Sequence, residues 1–354
     1  MTTPLFNNGG SDTSVTPETT RVHRFPLPPE GRQFRPSYKQ GQYVLPPVDP
    51  AAPRVKTTRA TTVAHALDDQ SGLDRWKTRQ VVRGLVEMNR DRPDALDEYL
   101  SIDLDADMRD VGRSLDEVVG AAQDIAGSSY GAELGTAIHA WTEAVERDGV
   151  SLEDVPGQFR PYVGPYLDEL AKAGVVSEPG MVERIVSNDQ WESAGTFDRL
   201  YRLPDGTLAI GDVKTSKVSS LNYSWLGWAC QFAIYAGADR MLTVDGSGYE
   251  PMPEVRQDFA VVAHIPSDQP GRCSLITVDL EAGRRALEAA AAVRGLRASA
   301  RKSIPNVHPL PTAEPSLEDL VRQCRTQDEL AALWDTHQAV WNDGLTSLGM
   351  SMLR

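Results

Sequence analysis

The 354-residue chain contains no apolar run near the roughly 20 residues that cross a bilayer, which excludes a membrane-spanning helix. Its opening, MTTPLFNNGGSDTS, has neither a basic flank nor an apolar stretch, so no secretory signal is expected and the expected location is the cytoplasm. Cysteine is scarce. Cys230, Cys273 and Cys324 lie far apart and form no CxxC knuckle, so structural zinc is not expected, and an odd count fits a reducing compartment better than a disulfide framework. Positive charge is short as well: 36 Lys and Arg against 50 Asp and Glu leave a net charge of −14. That balance argues against nonspecific coating of nucleic acid, which relies on many basic contacts to phosphate. No internal repeat is present.

The basic residues that do occur are unevenly placed. Arg21, Arg24, Arg32, Arg35, Lys39, Arg54, Lys56 and Arg59 crowd into residues 21–60 with only Glu30 and Asp49 to oppose them. Residues 1–56 are rich in Pro, Gly, Ser and Thr without helical or strand period, and are expected to be a disordered basic arm. From 57 to 125 a helical N-terminal lobe is expected, on the spacing of Leu73, Trp76, Val81, Leu85 and Met88. Its acidic stretch DRPDALDEYLSIDLDADMRD is expected to be loop and short helix.

Residues 126–303 form the expected core, with a mixed order of α and β. A helix over Ala132–Arg147 carries the apolar stripe Leu134, Ile138, Trp141 and Val145. A helix near 158–173, a strand at 181–187, two strands flanking Leu203-Pro204-Asp205-Gly206, and a helix from Trp225 to Arg240 follow. Strands at 258–265 and 273–279 and an Ala-rich helix at 281–300 complete it. A linker at 304–315 leads to a C-terminal helical hairpin at 316–354, whose starts are marked by Ser316 and Thr326, each with an acid three residues on. Trp334 and Trp341 are expected to pack between its two helices, with partner docking as the other option. Arg284, Arg285, Arg294, Arg297, Arg301 and Lys302 are candidates for DNA contact, a solvated helix face being the simpler account.

The chemistry concentrates at the 203–206 turn. If Pro204, Asp205 and Gly206 form a three-residue loop with Gly206 left-handed, Leu203 pairs with Thr207 and Asp198 falls opposite Asp212. Cross-strand Cβ atoms lie only about 4.5 to 5.5 Å apart, where like charges repel. Alternation puts Leu208, Ile210, Asp212 and Lys214 on one face beside Leu200 and Asp198, so the acids continue an apolar face. Carboxylates there are costly to desolvate unless paired or metal-bound, and a cation site is the simplest explanation. An arbitrary Asp-x-Lys is weak by itself; the plain alternative is a surface hairpin in which Asp198 pairs with Arg199 or Lys214.

Two helices supply flanking groups. Gly135, His139 and Glu143 recur at intervals of four on one face of the 132–147 helix. Gly135 would permit close backbone approach, while His139, and Glu143 after it, could reach a metal or its water; a structural hydrogen-bonding role for the histidine is the alternative. Gln231 and Tyr235, also four apart, could contact substrate phosphate or the lysine, or simply each other's helix face.

In order and spacing, GTAIHAWTE, AGTFDRL, IGDVKTSK and QFAIYAG resemble the four motifs of the RecB-like exonuclease branch of the PD-(D/E)XK nuclease superfamily, a branch with CRISPR-associated and bacteriophage members. The resemblance covers residues 130–240. It implies an α/β fold: a restriction-endonuclease-like core in which helices flank a central mixed β-sheet, with extra N- and C-terminal helices. It further implies that Asp198 and Asp212 bind Mg²⁺ or Mn²⁺, helped by His139 and the Val213 carbonyl, with Glu183 in a strand ahead of the first aspartate. Lys214 would orient or activate water, and Gln231 and Tyr235 would position the DNA backbone or the lysine. Some relatives hold an iron–sulfur cluster; three isolated cysteines cannot supply its four ligands, so none is expected. The implied activity is metal-dependent DNA exonuclease action in recombination, repair or phage replication, with DNA and possible helicase or recombination proteins as partners. A structure-selective or restriction-like endonuclease, and a non-cleaving DNA-binding module on the same fold, are the alternatives.

Overall fold

The computed structural model describes residues 24–29, 37–39, 42–49, 51–223, 225–303 and 314–353. In chain order its elements are β1 (Ser37–Lys39), β2 (Gln42–Leu45), β3 (Val55–Arg59), α1 (Ala60–Ala64), α2 (Ser71–Asp91), α3 (Pro93–Leu100), α4 (Met108–Ile125), α5 (Tyr130–Arg147) and α6 (Arg160–Ala173). Then come β4 (Val176–Asn188), β5 (Ser193–Arg202), β6 (Leu208–Ser216), α7 (Trp225–Ala236), β7 (Arg240–Leu242), β8 (Tyr249–Pro251), β9 (Phe259–Pro266), β10 (Ser274–Asp279) and α8 (Leu280–Ser303). The last three are α9 (Leu317–Gln323), α10 (Gln327–His337) and α11 (Asp343–Met352).

The fold is mixed α/β, with a central mixed sheet flanked by helices. Its middle runs β4-β5-β6-β9-β10. The pairs β4/β5, β5/β6 and β9/β10 are antiparallel, and β6/β9 is parallel. On one face, Leu200, Ile210 and Val262 pack under Phe232 and Ile234 of α7 and Leu287 of α8. On the other, Tyr201, Ala209, Val213 and Ala263 pack under Ile138 and Trp141 of α5 and Tyr166 of α6. Burial on both faces explains why β6 and β9 read as near-continuous apolar runs rather than strict alternation.

Strand β5 has an uneven edge. β3 pairs with its first residues (Arg59 with Ala194) and β6 with its last (Arg199 with Gly211), so on that side the ladder leaves out residues 195–198. A fork in the sheet results. Open positions of this kind leave backbone groups and side chains available to a site, as at the switch points of other α/β sheets.

Several expectations need correction. Within the segment expected to be structureless, β1 and β2 form a hairpin that extends the sheet through β3, and Tyr43 and Leu45 are buried against Ile185 and Leu242. Two alternating apolar residues among prolines and glycines were too short a pattern to outweigh composition. Arg21, Arg32 and Arg35 of the basic arm lie outside the described residues, as do residues 304–313 of the expected linker. The acidic stretch is loop and short helix as expected: α3, the loop 101–107 and the first residues of α4. α7 stops at Ala236, and Arg240 opens β7.

The chain divides into two units, Met1–Arg297 and Ala298–Arg354. Within the second unit, Ser316 and Thr326 each close a capping box as expected, but three helices follow rather than two. Trp341 packs on a small core of Val321, Leu330 and Leu345, whereas Trp334 is 45% exposed and does not fill the space between helices. No helix among the described residues is long and apolar enough to cross a membrane.

Candidate functional site

The hairpin forms as its turn chemistry demands. Leu203 N–H donates to the Thr207 carbonyl at 2.9 Å, and Gly206 takes φ +84°, the left-handed conformation a side chain resists. Ladder pairs Leu200/Ile210 and Arg199/Gly211 carry the register forward, so the next position sets Asp198 opposite Asp212. The same count on the other side of β5 adds a third acid. Val182 pairs with Arg199 and Arg184 with Phe197, which puts Glu183 of β4 opposite Asp198. By this count Glu183, Asp198 and Asp212 fall at neighbouring positions on three adjacent strands, where β5 has just left its ladder with β6. Glu183 has φ +56°, a left-handed backbone that costs a non-glycine residue about 1–3 kcal/mol and recurs at functional sites.

Asp198 Oδ2 takes the place of a ladder acceptor: it receives the Val213 N–H at 2.8 Å and also lies 2.8 Å from His139 Nε2. Asp212, 1% exposed, has Oδ2 at 2.7 Å from Lys214 Nζ, while its buried Oδ1 has no hydrogen-bond donor among the described residues. His139 Nδ1 is 2.5 Å from Glu143 Oε1 and its Nε2 is 3.8 Å from Glu183 Oε1, and these three residues each offer a ligand atom within 4.8 Å of the others. Lys214 Nζ lies over the rings of Trp228 (6.0 Å) and Phe232 (5.7 Å) of α7, within cation–π range.

The protonation states follow from this crowding. Burial and then repulsion from Asp198 push the Asp212 carboxyl up to about 6 against the pull of Lys214. Burial and Asp198 push Glu183 up to about 8. Asp198 itself, despite burial, is held well below the usual carboxylate range by His139 and Lys214. Burial alone would lower His139, but Asp198, Glu143 and Glu183 hold it well above its usual value. One carboxylate is charged and two resist charge, which is the pattern of like charges that cannot all ionise without a cation.

A buried clamp fixes the helix that carries His139. Arg199, fully buried, has Nε 2.5 Å from Glu146 Oε2 and donates from Nη2 to Thr142 Oγ1 at 3.1 Å; Tyr166 O–H adds a bond to Glu146 at 2.7 Å. Arg199 thus pairs with Glu146 and donates from Nη1 to the Asp198 carbonyl at 2.7 Å, and Lys214 pairs with Asp212. The surface-hairpin alternative, with Asp198 paired to either, does not hold. Sequence reasoning missed Arg199, Glu146 and Thr142, although Thr142 and Glu146 follow His139 by three and seven residues on the same helical face.

Of the two accessory residues, Gln231 Nε2 donates to Tyr235 Oη at 2.9 Å, the pairing along the helix face that was one of the two options. Tyr235 is nonetheless close to the site, because its ring lies on Gly195 of β5, where an added Cβ would meet Cε1 at 2.4 Å. Gly135 faces Thr215, but an added Cβ would make only ordinary contact at 3.5 Å, so close approach does not require glycine there. Val213 meets Asp198 through its N–H, which leaves its carbonyl out of that contact. On α8, Arg284 is tied to Glu281 at 2.8 Å and to the Gln257 carbonyl at 3.0 Å.

No protein-family model and no curated protein matches this chain. The functional reading therefore rests on the geometry. Among the described residues, His139, Glu143 and Glu183 form a carboxylate–histidine group that could hold a metal ion, and the buried Asp212 Oδ1 has no hydrogen-bond donor.

Proposed function

We propose that this chain is a divalent-cation-dependent DNA nuclease of the PD-(D/E)XK type, acting as an exonuclease of the RecB-like branch without an iron–sulfur cluster. The observation that carries the reading is the alignment of Glu183, Asp198 and Asp212 across three strands with Lys214 two residues beyond the last acid. Asp198, Asp212, Glu183 and His139 would hold Mg²⁺ or Mn²⁺. When bound, such an ion lowers the pKa of coordinated water and offsets charge on a phosphate.

The chain's own residues do the rest. Lys214, held over Trp228 and Phe232, presents an ammonium to the position where a phosphate would sit and there offsets its growing negative charge. His139, whose Nδ1 meets Glu143 and whose Nε2 meets Asp198, would give up its proton and its Asp198 contact on binding the ion. The buried Arg199–Glu146 pair fixes the α5 register that brings His139 there. Tyr235 and Gln231 support β5 from behind at Gly195 and act on the site through the strand. The biological setting of recombination, repair or phage replication, and a helicase or recombination partner, belong to the same proposal.

Incubating the purified protein with Mg²⁺ or Mn²⁺ and matched linear, closed-circular and single-stranded DNA tests it. Cleavage of linear but not closed forms, abolished by EDTA, is the expected result. No cleavage of any form would remove the enzyme reading, and cutting of closed circles would move it to an endonuclease.

A further inference from the structure

A cleft of about 620 Å³ opens beside His139 and Glu143, and its lining joins these site residues to a segment distant in sequence. His139, Glu143 and Arg147 of α5 line it, as does Thr215 of β6, and the remaining side is Leu27, Pro28 and Pro29. The segment Arg24–Pro29 is anchored at several points. Phe25 packs edge-on against Tyr130 (5.3 Å) and Phe159 (6.0 Å). Trp141 Nε1–H donates to the Pro26 carbonyl at 3.0 Å, and the Arg24 guanidinium lies over the Tyr130 ring with Glu133 3.9 Å away. Three prolines in six residues fix φ, remove N–H groups that would need acceptors, and reduce the entropy lost on docking.

We propose that Arg24–Pro29 is a strap that walls the cleft and restricts it to single-stranded DNA; this deepens, and rests on, the nuclease reading. The volume lies within the about 300–1,000 Å³ that encloses a drug-sized ligand, enough for an unpaired nucleotide and its phosphates. A double helix, whose major groove alone is about 12 Å wide, does not enter such a slot. Polarity agrees with this assignment. Leu27 and the proline rings offer an apolar wall to a base, while His139, Arg147 and Thr215 supply polar groups within reach of its phosphates.

The test compares initial cleavage rates of the full chain with Mg²⁺ on a linear single strand and on the blunt duplex of the same sequence. The single strand should be cut at least about tenfold faster. Phe25→Ala removes the aromatic anchor and should raise the duplex-to-single-strand ratio about tenfold. Trp141→Phe, which keeps a ring in the core and deletes only the N–H given to Pro26, should move it the same way by less. Trypsin cleavage after Arg24, located by mass spectrometry, reads release of the strap independently of activity. Equal rates for the wild type on both substrates overturn the proposal, as does an unchanged ratio in variants whose Arg24 has become trypsin-sensitive. Absence of any cleavage by the wild type instead overturns the nuclease reading, and the strap's role with it.

Discussion

At the scale of single residues, the site's distinguishing feature is that its acids are unequal. Asp198 is charged and its Oδ2 meets two donors, whereas Asp212 and Glu183 are shifted up to about 6 and about 8 from 3.8 and 4.5. A carboxyl whose folded pKa exceeds its unfolded value stabilises the fold below the unfolded pKa and loses that contribution as pH rises through the folded one. His139, raised above 6.5, acts in the same sense. The metal-free protein should therefore lose thermal stability as pH rises from about 4 to about 8, the window those shifts define. Because cation binding requires the deprotonated carboxylates, added Mg²⁺ should raise Tm more at pH 8.5 than at pH 5.5; an equal or smaller rise at the higher pH would contradict the assignment. Asp212→Ala and Lys214→Ala should each lower the cleavage rate at least about 100-fold, roughly 2.7 kcal/mol of barrier, while a gel-shift assay still detects DNA binding. Either variant cutting at wild-type rate would remove that residue from the site.

At the scale of elements, the site depends on how α5 and α7 are pinned to β5. Arg199→Met leaves Glu146 buried without its cation and should cost about 3–5 kcal/mol in denaturant unfolding, whereas the double variant Arg199→Met/Glu146→Leu should recover most of that loss. Gly195→Ala drives a methyl into the Tyr235 ring and should cost about 1–3 kcal/mol, a cost that Tyr235→Leu in the same chain should reduce; additive losses would show that the two do not touch. How much of this was legible varies by element. The β5–β6 hairpin could be derived because Pro204-Asp205-Gly206 is strong turn chemistry and its loop length fixes the register. The helix bearing His139 could be found because its apolar stripe runs its full length. Glu183's place opposite Asp198 could not, since β4 shifts register against β5 between Ser177 and Val182 and Glu183 is left-handed, features with no local sequence signal. Likewise α7 overran into Arg240 because nothing in the apolar run marks the switch to β7, and α11 was missed although Asn342 caps it at Leu345.

At the scale of the molecule, the sheet gathers the chemistry at one fork while the Ala298–Arg354 unit folds on a small core of its own. Some 40 residues around Val321, Leu330 and Leu345 bury little apolar surface, and units of that size are marginal. Calorimetry should therefore show two transitions, the weaker one absent from a chain ending at Ser303, and that shortened chain should keep its cleavage rate. On the proposed nuclease reading, a net charge of −14 allows few phosphate contacts, so DNA binding should weaken with salt by a shallow slope. The central claim, that the aligned carboxylates hold a divalent cation, is tested most directly by titrating Mn²⁺ into the full chain and following free Mn²⁺ by electron paramagnetic resonance. Saturable binding by the wild type, weakened at least about tenfold in Asp212→Ala, is the predicted result; no binding, or equal binding by the two proteins, would contradict it.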